Sequence, residues 1–208
     1  MTASEIETEG LVVAPALTTW VRDVRASRNG DGLTASFAPG TVSLRSAGGP
    51  ELSAVAGGLG LTEDAVAGDA CVASNSRPRL LMPLRSRAAL AELTPDLALL
   101  RVACDRYGLL GCYAYSPPDR HGRAAARMFA PSIGVPEGIA NANSTACPAA
   151  HAAGFGTHRL AVDMGDHLGS PSTITATVHR DRTGHRIRVG GQAAIVRTQE
   201  EPWPRVTG

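Results

Sequence analysis

The residues that could do chemistry are concentrated in one segment, Val135-Pro-Glu-Gly-Ile-Ala-Asn-Ala-Asn-Ser-Thr-Ala-Cys-Pro-Ala-Ala-His151. It is polar, rich in Gly and Ala, and feeds a run of very small side chains that reads as a helix over 146–153. The N-terminus of such a helix offers unpaired backbone N–H groups and the positive end of its dipole, which suits a carboxylate or phosphate. Asn141, Asn143, Ser144 and Thr145 stand where ligand contacts belong. They also stand where capping belongs, and simple N-capping by Ser144 or Thr145 accounts for them equally. Glu137 is the one carboxylate of the segment. Read alone, it is a solvated surface charge. Cys147 falls in the first turn, where a thiolate can be stabilised; as a small buried hydrophobe it needs no such role. His151 follows it at i+4, so a thiol–imidazole pair is geometrically possible. The other five histidines follow turns or end strands, and none has metal-ligand spacing with another His or Cys, so no metal site is expected. Gly190-Gly191 interrupts the last apolar strand. It marks a sharp turn, a bulge, or a place where a ligand or another backbone comes close.

These residues need a frame, and the pattern supplies one. Leu33 to Phe37 and Thr41 to Leu44 read as short strands joined near Pro39-Gly40. Leu52 to Leu59 reads as a short helix, and Thr62 to Val66 as a further helical turn. Cys71 to Leu84 is extended, and Arg87 to Leu93 is a short helix. Thr94 and Pro95 match the favoured N-cap and first helical position of a helix with Leu97, Leu100 and Cys104 on one face, ending at Gly108. Leu109 to Tyr115 and Ala124 to Phe129 form a hairpin through Asp119-Arg-His-Gly122. Pro148 fits the first turn of the small-residue helix. Leu160 to Met164, Thr173 to His179 and His185 to Val196 close the chain with strands. Such a strand-rich order with hairpin links is α+β with antiparallel sheet.

Composition removes several chemistries. All 20 basic residues of this 208-residue chain are Arg. Without Lys there is no Schiff-base chemistry on the chain, no covalent pyridoxal phosphate, no P-loop and no kinase β3 lysine. Nineteen acidic residues leave a net charge of +1, so there is no electrostatic footprint for nucleic acid. Aromatics make up 4% of the chain, against a 43% hydrophobic content. The core is therefore aliphatic, and a base-stacking surface is not expected. No apolar run is long enough to span a bilayer. The acidic first residues are unlike a signal peptide, so a cytoplasmic location is expected. Cys71, Cys104, Cys112 and Cys147 lack CxxC spacing and read as buried free thiols.

Three ordered segments carry a resemblance. They are Arg127-Met-Phe-Ala-Pro131 with Gly134-Val-Pro-Glu137, then Gly165-Asp-His-Leu-Gly-Ser-Pro-Ser172, then Val189-Gly-Gly-Gln-Ala193. In order and spacing they resemble the C-terminal half of the PhzF-like proteins of phenazine biosynthesis, relatives of diaminopimelate epimerase. That family shows R-x-F-x-P, an E-D-P-x-T-G-[SN]-A loop, G-x-x-x-G-R-P-S and V-x-G-G-x-A. The similarity runs from about residue 50 to 198. It implies an α+β fold in which a curved, mostly antiparallel sheet wraps a central helix, here Ala146 to Ala153. It further implies a remnant of a first lobe over 1–50, the C-terminal lobe over 51–198, and a tail over 199–208. By the same resemblance the chemistry is cofactor-free proton transfer at carbon on a small acidic metabolite, in secondary metabolism. Glu137, Asn143 and Ser144 would be catalytic, and Asn141, Thr145, Gly190 and Gly191 would bind substrate, with no cofactor. Departures are specific. Gly138 stands for the loop's Asp, Ile139 for its Pro, Asn141 for its Thr, Ala142 for its Gly, and Ser170 for the Arg of G-R-P-S. Residues 1–50 contain no G-N-P or C-G-H-A-T segment and no counterpart of the first-lobe carboxylate. A homodimer or a complementing protein would then complete the site. The alternatives are an inactive relative that binds a ligand or partner, and a thiol enzyme using Cys147 and His151.

Overall fold

The computed structural model describes residues 22–29, 32–62, 65–181 and 184–193. The expected tail over 199–208, the end of the last strand, and Glu63 and Asp64 of the expected helical turn lie outside them.

Among the described residues, eleven strands form one mixed sheet. They are β1 (Arg22–Asn29), β2 (Gly32–Ala38), β3 (Ser43–Ser46), β4 (Cys71–Ser74), β5 (Pro78–Pro83), β6 (Cys112–Tyr115), β7 (Arg123–Ala130), β8 (Val135–Gly138), β9 (Arg159–Met164), β10 (Ser172–Asp181) and β11 (Gly184–Ala193). The order is β1-β2-β11-β10-β9-β7-β6-β5-β4-β3, with β8 paired to β7. Most pairings are antiparallel, as the sequence pattern predicts. The two parallel pairings, β5 with β6 and β7 with β9, are crossovers. A parallel pair needs a long connection, usually helical. The first crossover carries α2 (Arg87–Ala91) and α3 (Leu97–Arg106), and the second carries α4 (Ala142–Ala153). One expected link takes a different form. The strands flanking Pro39-Gly40 do not pair with each other; β2 joins β11 near one end of the sheet, and β3 joins β4 at the other.

α4 packs against β9, β10 and β11 and also against β4, which lies far along the sheet order. A single helix can touch both regions only if the sheet curves around it. The small side chains allow this: Ala146, Cys147, Ala149, Ala150 and Ala153 are all buried, packed with Leu81, Tyr113, Met128, Val162 and Val189. The other face of the sheet is covered by α1 (Gly49–Gly58) and α3. Leu80, Met82, Leu84, Cys112 and Phe129 meet Val55, Leu59, Leu100 and Cys104 there. Strand residues alternate between the two cores, which is why β5 reads as apolar at every position from Leu80 to Pro83.

Three boundaries correct the sequence reading. α3 is capped by Asp96, whose side chain accepts from the backbone N–H of Ala98 and Leu99. Thr94 and Pro95 therefore precede the cap. α4 begins at Ala142, four residues before the expected start, because Asn141 rather than Ser144 or Thr145 is its N-cap. Pro148 consequently sits inside the helix, and the Ser144 carbonyl loses its i+4 donor. β1 lies in a region the sequence left unassigned.

Candidate functional site

The loop before α4 is shaped by its own side chains. Asn141 Oδ1 accepts from the Ser144 N–H at 2.9 Å, and the Thr145 hydroxyl donates to the Asn141 carbonyl at 2.9 Å. From the sheet, the Tyr113 hydroxyl meets Thr145 Oγ1 at 2.9 Å. Burial raises the Tyr113 pKa above the ordinary phenol value, so this contact is between neutral hydroxyls. Behind the loop, Gly165 has a φ of +81°. A Cβ there would come within 2.9 Å of the Ile139 carbonyl and 2.2 Å of the Ser170 carbonyl. Ser172 Oγ also reaches the Ile139 carbonyl, at 3.4 Å. The G-x-x-x-G segment therefore seats the chain that leads into α4.

Arg79, on β5, was not singled out in the sequence reading. Its side chain faces α4 alongside Leu81, and the residue is 1% exposed. Its guanidinium meets Asn75 Oδ1 at 3.0 Å, the Arg77 carbonyl at 2.9 Å, the Asn143 carbonyl at 3.4 Å and Cys147 Sγ at 3.5 Å. No carboxylate is among these partners, and Nε–H has no hydrogen-bond partner among the described residues. Burial lowers the Arg79 pKa. A buried, unpaired charge is costly. This one also lies against the first turn of a helix, where the dipole is already positive. Asn75 Nδ2 donates to Asn143 Oδ1 at 2.6 Å and to the Asn143 carbonyl at 2.9 Å, tying the loop to the turn between β4 and β5. Asn143 itself is exposed, and Asn141 and Ala142 are half-buried, so the helix N-terminus opens to solvent. The arrangement sets a buried positive charge behind the exposed first turn of α4. A sequence signal for Arg79 exists: it is the one charge in Pro78-Arg-Leu-Leu-Met-Pro83, a strand otherwise buried on both faces.

The remaining expected site residues lie as follows. Glu137, on β8, makes a bidentate ion pair with Arg127 at 2.9 and 2.8 Å, and both side chains are at most 10% exposed. Arg127 also donates to the carbonyls of Leu90 and Leu93 and lies 5.0 Å above the Phe129 ring. Arg-x-Phe is thus a clamp joining the end of α2 to β7 and β8. Ser144 and Thr145 are buried in the first turn of α4. Gly190 and Gly191 pair with Ser36 and Ala35 of β2. A Cβ on Gly190 would meet the Ala35 carbonyl at 2.3 Å, so a neighbouring backbone requires this glycine. The two glycines line a shallow cleft with Thr34, Ser36 and Arg188, and residues 141–145 do not line it. Cys147 contacts Arg79, whereas His151 Nδ1 lies 3.1 Å from the Tyr115 hydroxyl. Burial raises the Cys147 pKa despite the opposing charge of Arg79. A Cys147–His151 couple is not formed. Among the described residues, no group of three His, Cys, Asp or Glu could hold a metal ion, and no helix is long and apolar enough to cross a membrane.

Residues 50–199 match the profile of the family described as phenazine biosynthesis-like protein. The chain belongs to that family. A Deinococcus radiodurans protein described as an uncharacterised isomerase is 32% identical over 133 residues, covering 60% of this chain and 42% of its own length. A Salmonella typhimurium protein, the uncharacterised isomerase YddE, is 27% identical over 154 residues, covering 69% and 52% respectively. The chain thus spans about half the length of the curated relatives it matches. The solved Bacillus anthracis phenazine biosynthesis protein of the PhzF family superposes with a TM-score of 0.69 at 14% identity, over 83% of this chain and 62% of that one. A Pseudomonas aeruginosa protein described as a predicted epimerase gives 0.64 at 23%, over 84% and 63%. These likenesses show the PhzF-like fold, with its curved sheet around a central helix.

Proposed function

We propose that this chain forms the anion-binding half of a PhzF-like isomerase that moves a proton at a carbon of a small acidic metabolite without a cofactor. The observation that carries the reading is Arg79, a buried charge without a carboxylate at the N-terminus of α4. A bound carboxylate would neutralise it and accept from the α4 amides. That anchors an acid whose neighbouring carbon bears the proton to be moved. Asn143 is the exposed loop group placed to orient it, with Asn141, Ser144 and Thr145 fixing the loop's shape. Glu137, paired with Arg127, holds β8 and the approach to the loop. Gly190 lets β2 close onto β11, and a Cβ on Gly191 would meet the Thr173 carbonyl of β10 at 3.0 Å. In this reading residues 22–50 are what the chain carries of the first lobe, and 51–198 are the second. The carboxylate that moves the proton is assigned to the first lobe, whichever chain supplies it. Both isomerase relatives support the reaction class, and the family's description supports a place in secondary metabolism.

The test is deuteron uptake at carbon, followed by proton NMR in deuterated buffer, across small carboxylic acids with an acidic C–H. Uptake that falls at least tenfold in Arg79→Met supports the reading. Uptake indifferent to Arg79→Met overturns it.

A further inference from the structure

A second site lies at the opposite end of α4. A cavity of about 280 Å³ opens between the last turn of that helix, the segment before β4 and the prolines that follow β6. Its walls are mainly apolar, and Tyr115, Phe155, Pro117 and Pro118 contribute rings to them. Phe155 is 72% exposed, an unusual cost for a large apolar side chain, and its ring meets the His151 ring edge-on at 5.3 Å. The polar groups are few. Tyr115 Oη and His151 Nδ1 share a 3.1 Å hydrogen bond, and Asp69 stands exposed at the rim.

The charge balance of this cavity is one-sided. The chain has 20 arginines, yet none lines it. Asp69 brings a carboxylate whose field reaches His151. Burial lowers the His151 pKa from its ordinary value, so the imidazole is uncharged at neutral pH. The cavity also sits at the carbonyl end of α4, where the helix dipole is negative. Phe155 and Tyr115 add aromatic rings, and an aromatic ring attracts a cation over its face. The one charged side chain that lines the cavity is the Asp69 carboxylate, the helix end reinforces its sign, and the body of the cavity is apolar.

From the Asp69–Tyr115–His151–Phe155 cavity at the C-terminal end of α4, we propose a binding site for a small organic amine with an apolar body. The ammonium lies near Asp69 and the aromatic faces, and the apolar body lies among the prolines and Phe155. The site is separate from the anion-binding end of the helix and does not depend on it.

Isothermal titration with three probes of one shape tests this: 2-phenylethylamine, 2-phenylethanol and 3-phenylpropanoate. The amine should bind about tenfold more tightly than the alcohol, the size expected for a cation–π contact plus one exposed charge pair. The carboxylate should bind most weakly. Asp69→Asn should bring the amine close to the alcohol, and Phe155→Ala should abolish amine binding. Both side chains are exposed, so both variants should keep the fold. Equal affinity for all three probes, preference for the carboxylate, or no binding at millimolar amine overturns the proposal. So does an Asp69→Asn variant that still prefers the amine. A dimer that disappears with Phe155→Ala would make the occupant a second copy and also overturn it.

Discussion

Replacing Arg79 by Met separates stability from ligand binding. Without ligand, the change removes hydrogen bonds to three neutral oxygens, each worth about 1.5–3 kcal/mol when the donor is charged. It also removes the several kcal/mol that a buried guanidinium costs, and about 0.3–1 kcal/mol of repulsion from the α4 dipole. These contributions nearly cancel, so unfolding free energy should change by no more than about 2 kcal/mol in either direction. At a ligand concentration 100 times Kd, binding should stabilise the unaltered protein by about 2.7 kcal/mol. For a chain of this size that is a Tm rise of roughly 5–11 °C. Loss of one charge-assisted contact weakens binding by about 13-fold or more. The variant should then gain at most about 1.3 kcal/mol, a rise of ~3–5 °C. Thermal unfolding followed by circular dichroism, with succinate as the probe and sodium chloride matched for ionic strength, measures both. Equal rises in the two proteins, or no rise in the unaltered one, would refute the reasoning. So would an Arg79→Met protein several kcal/mol less stable in plain buffer, since that would make Arg79 a satisfied structural residue.

Three further outcomes follow from the geometry. Glu137→Ala leaves the nearly buried Arg127 without its counter-charge and should cost about 3–5 kcal/mol in urea unfolding; a cost below about 1 kcal/mol would mean that the Arg127 clamp is not a buried pair. Gly190→Ala should destabilise strongly, because its Cβ would lie 2.3 Å from the Ala35 carbonyl, and a neutral result would mean that β2 does not pair where described. On acidification, two buried carboxylates matter. Burial raises the Asp163 pKa, but Arg123, Arg87 and Thr173 outweigh it, and Arg45 with the Gly48 amide lowers that of Glu51. Their stabilisation is complete above the ordinary carboxylate values near 4 and is lost as pH falls through the lowered folded values. On the alkaline side, burial raises Cys71 and Cys104 to about 11, so their contribution is complete below pH 9 and lost between 9 and 11. A pH scan of Tm should fall at both ends, and a flat profile below pH 4 would contradict the Asp163 cluster.

What the sequence made legible was the repeating pattern; what it hid was pairing at a distance. The α3 stripe of Leu97, Leu100 and Cys104 was readable because apolar spacing records burial, and Leu100 and Cys104 are fully buried. Its cap was not, because Thr94, Pro95 and Asp96 all suit a helix start and only geometry selects Asp96. The same ambiguity among Asn141, Ser144 and Thr145 concealed the true start of α4. The family motifs pointed to the loop before α4, yet they gave Glu137 no partner. Arg127 lies ten residues away in sequence and faces it only because β7 and β8 pair. Asn75 and Arg79 lie more than sixty residues from Asn143, and no local spacing joins them. An arginine within an apolar strand is a readable sign of a buried charge; what it faces depends on the crossover that brings α4 beneath β5.

The claim that the α4 N-terminus and Arg79 form an anion site is tested most directly by amide and guanidinium NMR during a succinate titration. The account predicts saturable shifts of the Ala142, Asn143 and Ser144 amides and the Arg79 Nε–H, with one shared Kd. Shifts confined to other surfaces, or none at these four groups, would contradict it.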